Sequence, residues 1–148
     1  MIIVIASMGR CGSTALYHAL LKSLPEYSGI FVRDLKHAQL RDGLIVKTHD
    51  FSPEIIQDNW RVIYCFGDEE IILKSINRQN EDWKAAHAYN LHSNGDNLRL
   101  KENITSWRNA SGKILFINYD KLFESAEIIS EFLRPKIELP TRIKRETE

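Results

Sequence analysis

The sequence predicts a three-layer α/β/α sandwich around a mainly parallel sheet of about five strands. Three observations predict it. Short apolar runs rich in β-branched residues recur at 2–5, 29–32, 44–46, 61–66 and 114–117, and helical periodicity fills much of the chain between them. The first run, Ile2-Ile3-Val4-Ile5, is unbroken, as suits a strand buried on both faces of a parallel sheet. The unusual polar residues, Arg10, Lys47, His49, Asp68 and Tyr119, follow those runs, at the edge where parallel sheets bind ligands.

The first strand stops at Ala6-Ser7-Met8-Gly9-Arg10-Cys11-Gly12, a turn with two glycines. Ser13 and Thr14 then open a helix with Ala15, Leu16, Ala19, Leu20 and Leu24 on its buried face, and Pro25 ends it. A strand, a glycine turn and a helix N-terminus make an anion site, because free backbone N–H groups meet the positive end of the helix dipole. An ordinary turn capped by Ser13 or Thr14 has the same local pattern. The loop is not the nucleotide-triphosphate loop, which needs Gly-Lys-[Ser/Thr]: Ser13 stands where that lysine belongs, and the nearby cation is Arg10.

Residues 29–32 read as the second strand, and 33–42 as a short helix or a surface loop. The third strand, 44–46, delivers the chain into Lys47-Thr48-His49-Asp50, and Ser52-Pro53-Glu54 starts a short helix to about Asn59. The fourth strand, 61–66, closes at Gly67-Asp68, and Ile71, Ile72, Ser75 and Ile76 recur at helical spacing behind an acidic start. Asn94-Gly95-Asp96 breaks a polar middle, after which Leu98, Leu100, Ile104 and Trp107 mark a helix between Asp96 and Ala110. The fifth strand, 114–117, closes at Asn118-Tyr119-Asp120. A last helix carries Leu122, Phe123, Ala126, Ile129, Phe132 and Leu133 and ends before Pro135. One domain over 1–135 and a charged tail over 136–148 follow.

At 148 residues the chain is long enough to bury a core without disulfides or metal. Twenty basic residues balance twenty acidic ones, so no global field points to nucleic acid or an anionic membrane, and any anion site is local. No run has the apolar length of a membrane span, and the N-terminus carries no signal pattern. Cys11 and Cys65 form no disulfide framework, and no Cys/His cluster has metal spacing; a reducing, cytoplasmic setting and no metal are expected.

Lys47-Thr48-His49 sharpens the functional reading. A histidine at the end of a buried strand, beside a cation, is placed to act as a general base near neutral pH. Arg–x–Gly–Ser–Thr after a buried strand resembles the 5′-phosphosulfate loop of the sulfotransferases, and Lys-Thr-His resembles the segment that carries their catalytic base. The stretch 61–76 is similar to the family's 3′-phosphate segment, and 114–134 to the strand, turn and helix that follow it. The resemblance, over about 2–133, implies a P-loop-like fold. It also implies transfer of a sulfuryl group from 3′-phosphoadenosine 5′-phosphosulfate to a hydroxyl or amine of an unidentified small molecule or glycan, leaving 3′,5′-adenosine bisphosphate. By that likeness His49 is the base. The transfer it implies requires Arg10, with the N–H groups of Gly12, Ser13 and Thr14, to neutralise charge on the oxygen bridging sulfur and phosphorus, and Lys47 to steady the transferring group from the opposite side. Arg10, Cys11, Gly12, Ser13 and Thr14 hold the phosphosulfate, Ser75 donates to the 3′-phosphate, and Tyr119 lies against the adenine.

The sequence departs from the family at Gly67, where the 3′-phosphate segment carries an arginine, and in lacking the C-terminal Arg-Lys-Gly motif. Arg78, Arg142, Lys144 or Arg145 are candidate substitutes. Two other readings compete: a binding module that kept the loop and lost turnover, and a metabolite kinase, which would need magnesium at Asp68. Trp83, Tyr89 and Trp107 are candidates to stack an acceptor ring or to pack on the sheet, and His87 and His92 to line an acceptor pocket or the surface. His18 reads as an exposed or packed helix residue, and Cys65 as core.

Overall fold

The computed structural model of the chain describes residues 1–86 and 99–141. Five strands, β1 (Ile2–Ser7), β2 (Ser28–Phe31), β3 (Leu44–Thr48), β4 (Trp60–Phe66) and β5 (Ile114–Asn118), form one sheet in the order β2-β3-β1-β4-β5. Every pairing is parallel. With flanking helices the result is the three-layer α/β/α sandwich expected. The apolar first run occupies the middle of the sheet, where all six residues of β1 are buried. The chain leaves β1 toward β2 and leaves β4 toward β5, so the sheet changes direction between β1 and β4, and a crevice opens beyond the carboxyl ends of those strands.

Six α-helices complete the described chain: α1 (Ser13–Ser23), α2 (Glu69–Asn77), α3 (Glu81–Ala86), α4 (Leu100–Arg108), α5 (Tyr119–Leu122) and α6 (Ala126–Leu133). The first helix lies against β1 and β3 and buries Leu16, Ala19 and Leu20. In α2 the Asp68 carboxylate accepts from the backbone N–H groups of Glu70 and Ile71 at 3.0 and 3.1 Å, an N-cap that fixes where the helix begins. Leu100, Ile104 and Trp107 form the buried face of α4. Among the described residues, no helix is long and apolar enough to cross a membrane.

Several local expectations are corrected. Neither Ser13 nor Thr14 caps α1: Gly12, at φ +83°, holds the N-cap position without a side-chain hydrogen bond, because the Ser13 hydroxyl turns inward to Ser7. No helix forms over 53–59, since Ser52 donates its hydroxyl to the Pro53 carbonyl at 2.8 Å instead of accepting a first-turn N–H. The 33–42 segment, open between a short helix and a surface loop, is irregular chain around a single 3-10 turn, Leu35–His37, whose first N–H donates to Asp50 Oδ2 at 2.8 Å.

The last helix is broken at 123–125. Ser125 bonds back to the Lys121 carbonyl through its hydroxyl and to the Leu122 carbonyl through its N–H, so the chain tightens and restarts as α6. Beyond Pro135 the chain packs before it leaves the described residues. Ile137 is 2% exposed within the core, and the Glu138 N–H reaches Ser23 Oγ.

Candidate functional site

The loop after β1 is the most contorted stretch of the described backbone. Gly9, Arg10 and Gly12 all take positive φ, at 108°, 48° and 83°. Two glycines absorb most of that strain, and Arg10 is one of three non-glycine residues with such a φ among the described residues. Gly12 is also demanded sterically, since a Cβ there would lie 2.4 Å from Leu122 Cδ2 and 3.1 Å from Tyr119 Cδ2. The loop is thus pinned beneath α5, and the uncapped first turn of α1 opens from it.

A cleft of about 530 Å³ lies over this loop. Arg10, Gly12, Ser13 and Thr14 line it from the loop and the start of α1, Lys47 and His49 from β3 and its end, Trp83 from α3, and Tyr119 and Phe123 from α5 and the residue after it. Seven residues predicted from the sequence therefore meet in one space, although they come from the ends of three different strands. Cys11 and Ser75 do not line it. Cys11 is fully buried with its thiol donated to the Gly9 carbonyl at 2.8 Å and the Cys65 carbonyl at 3.3 Å, so what it offers a ligand is limited to backbone. Ser75 is buried on α2 and accepts from Arg10 Nε at 2.8 Å.

Lys47 is part of β3 rather than of the loop beyond it, opposite Ile5 of β1 and Phe31 of β2. It is 8% exposed, with its ammonium 5.4 Å from the Phe31 ring centre. The Arg10 guanidinium lies 5.6 Å from the Trp83 ring. Among the described residues neither cation has a carboxylate within ion-pair distance. Two cations facing one cleft, each resting on an aromatic ring and neither neutralised, make a place for an anion.

Burial, and then the Arg10 charge, pull the Lys47 pKa below its ordinary value. The charged amine is therefore unfavourable to folding at neutral pH, and that cost is relieved as pH rises from the lowered value toward the ordinary one. A bound anion opposes both causes. Affinity for inorganic sulfate is accordingly expected to fall as pH rises through the lowered Lys47 pKa. Lys47→Met should bind sulfate more weakly at neutral pH and lack that fall; calorimetric titration from neutral to alkaline pH checks both.

His49 is 5% exposed. Its Nδ1 lies 3.0 Å from Ser7 Oγ and 3.4 Å from the Ser7 carbonyl oxygen, and its ring meets Phe31 edge-on at 5.9 Å. The backbone beneath it is fixed by Asn103 and Tyr64, which the sequence did not single out, and by Trp107. Asn103 Nδ2 donates to the His49 and Asp50 carbonyls at 3.0 and 3.3 Å, and Tyr64 donates to Asn103 Oδ1 at 2.6 Å. Trp107 Nε1 donates to the Asp50 carbonyl at 3.1 Å. Trp107 is fully buried, so it packs on the sheet and stacks no ligand. The available signal for Asn103 was its place on the buried face of α4, one residue before Ile104. Ser7, a polar residue ending an otherwise apolar buried strand, offered a similar signal.

Arg78 is exposed at the C-cap of α2, and His18 lines the cleft from α1. His87, Tyr89, His92, Leu98, Arg142, Lys144 and Arg145 lie outside the described residues. No protein-family model matches this sequence, and no curated protein matches it either.

Proposed function

We propose that the chain is a sulfotransferase that moves a sulfuryl group from 3′-phosphoadenosine 5′-phosphosulfate to a hydroxyl or amine acceptor. The observation that carries this reading is the convergence of a buried histidine with two unneutralised cations and an uncapped helix N-terminus in one cleft. The donor supplies an activated sulfuryl group, and the protein's part is positioning and charge stabilisation. Arg10 and the N–H groups of Ser13 and Thr14 would hold the phosphosulfate oxygens, and Lys47 would steady the moving group from the side of β3. His49 would take the acceptor's proton as the acceptor oxygen or nitrogen bonds to sulfur.

The residues fit the phosphosulfate end of the donor better than its 3′-phosphate end. Gly67 brings no cation there, and Ser75 is engaged by Arg10. These two facts favour a second reading, a binding module without turnover. The kinase reading loses support, because the Asp68 carboxylate is engaged as the cap of α2.

Calorimetric titration with 3′,5′-adenosine bisphosphate, against ADP and against ATP with magnesium, tests the donor site without knowledge of the acceptor. Selective binding of the bisphosphate in the absence of metal is expected; no binding, or preference for magnesium-ATP, would sink the proposal. Gly67→Arg should tighten bisphosphate binding. A Cβ at Gly67 meets nothing closer than Ile72 Cδ1 at 3.4 Å, so the side chain has room to leave the backbone. A charged hydrogen bond to phosphate is worth about 1.5–3 kcal/mol, about tenfold to a hundredfold in affinity.

A further inference from the structure

Ser7 ends β1 and is fully buried, yet its hydroxyl touches three separate elements of the site. It accepts the Gly9 N–H of the loop at 3.1 Å, lies 3.0 Å from His49 Nδ1 at the end of β3, and lies 3.3 Å from Ser13 Oγ at the start of α1. A hydroxyl has one proton and two lone pairs. Gly9 occupies one lone pair, so one lone pair and one proton remain to be shared between His49 and Ser13.

The Ser7 carbonyl biases the division, and the nearer hydroxyl completes it. It lies 3.4 Å from His49 Nδ1 and can only accept. A lone pair on Nδ1 would face the lone pairs of that oxygen, whereas an Nδ1–H is attracted both to it and to Ser7 Oγ. Nδ1 therefore carries the proton, the Ser7 hydroxyl donates to Ser13, and Ser13 has its own proton left for the cleft it lines.

We propose that Ser7 is a positioning residue ordering a one-way chain, from His49 Nδ1–H to Ser7 Oγ–H to Ser13 Oγ–H to an anion on the loop. The chain holds His49 in the tautomer whose lone pair is on Nε2, and it aims the Ser13 proton at the anion. Its catalytic consequence rests on the reading of His49 as the base; the tautomer does not. The direction of the chain is unchanged when Nε2 takes up a proton, because the imidazolium still donates through Nδ1. No hydroxyl has to turn during the reaction, and the charge gained at His49 polarises the chain toward the anion. The cationic groups that share the cleft, Lys47 and Arg10, contribute no acceptor that would compete for Nδ1.

Nitrogen-15 NMR of histidine-labelled protein, at a pH where His49 is neutral, reads the tautomer directly, with the His49→Ala spectrum assigning the signal. Protonated Nδ1 is expected. Ser7→Ala removes the nearer acceptor and leaves only the carbonyl at 3.4 Å, so part of the Nδ1–H signal should pass to Nε2–H, and Ser7→Thr, which keeps the hydroxyl, should retain it. Ser13→Ala removes the acceptor of the Ser7 proton without touching His49, and should shift the ring in the same direction as Ser7→Ala. Protonated Nε2 in the unsubstituted protein, or a tautomer indifferent to both alanine variants, would overturn the chain. The two proposals fail separately. Lack of sulfuryl transfer with Nδ1 protonated removes the function and leaves the chain; turnover with Nε2 protonated at rest does the reverse.

Discussion

Turnover is expected to fall by about 10²–10⁴-fold in His49→Ala, the usual worth of a positioned general base, while affinity for 3′,5′-adenosine bisphosphate stays unchanged. The two effects separate because His49 reaches the cleft from the end of β3, whereas the anion-holding groups reach it from the loop after β1 and the start of α1. The fold should survive the substitution. The backbone at His49 is fixed through its carbonyl by Asn103, and Thr48 next to it donates to the Val32 carbonyl at 2.7 Å, so neither anchor needs the imidazole. Side-by-side calorimetry and single-turnover assays on both proteins make the measurement. Equal turnover in the two would remove His49 from the chemistry. Loss of nucleotide affinity along with turnover would make it a binding residue instead.

Gly12→Ala is expected to cost about 2–5 kcal/mol of stability, a large share of the roughly 5–15 kcal/mol that holds a domain together. Two penalties combine. An L-residue held at a left-handed φ loses about 1–2 kcal/mol, and a methyl forced into a filled site costs about 1–3 kcal/mol. Gly12 has φ +83° and would put its Cβ 2.4 Å from Leu122 Cδ2. Gly43 separates the penalties. It has nearly the same φ, +87°, but nothing lies within 4 Å of its Cβ position. Gly43→Ala should therefore cost the backbone penalty alone, and urea unfolding of the two variants reads the difference. Equal losses would mean that α5 yields to the added methyl. If α5 holds, the loop must move, and bisphosphate affinity should fall in Gly12→Ala but not in Gly43→Ala.

Local chemistry was legible in the order of residues. The unbroken Ile2-Ile3-Val4-Ile5 run announced a strand buried on both faces, and that run is the middle of the sheet. The alternation of strands and helices announced the layers, and the strand ends announced where ligand chemistry gathers. Even the bounds of β4 and β5 were read to within a residue. These features depend on neighbours in sequence, through hydrophobic period and turn chemistry, and so a single chain of letters carries them.

What the sequence could not carry was decided by contacts between residues far apart. Ser13 looked like a helix cap, but a hydroxyl six residues earlier drew it inward. The helix expected at 53–59 gave way to a turn whose Ser52 N–H is held by Ser106, fifty-four positions away. Lys47 looked like a loop residue and became part of β3, because the pairing with β1 runs on past Val46. The strand order, which sets Lys47 and His49 beside Arg10, and the Tyr64–Asn103 pair beneath His49 join segments that no local pattern links. Sequence by itself determined which residues could do chemistry and on which edge of the sheet they would stand. Only the tertiary structure decided which of them meet, because a buried hydroxyl, amide or amine is placed by whichever partner the folded chain brings to it.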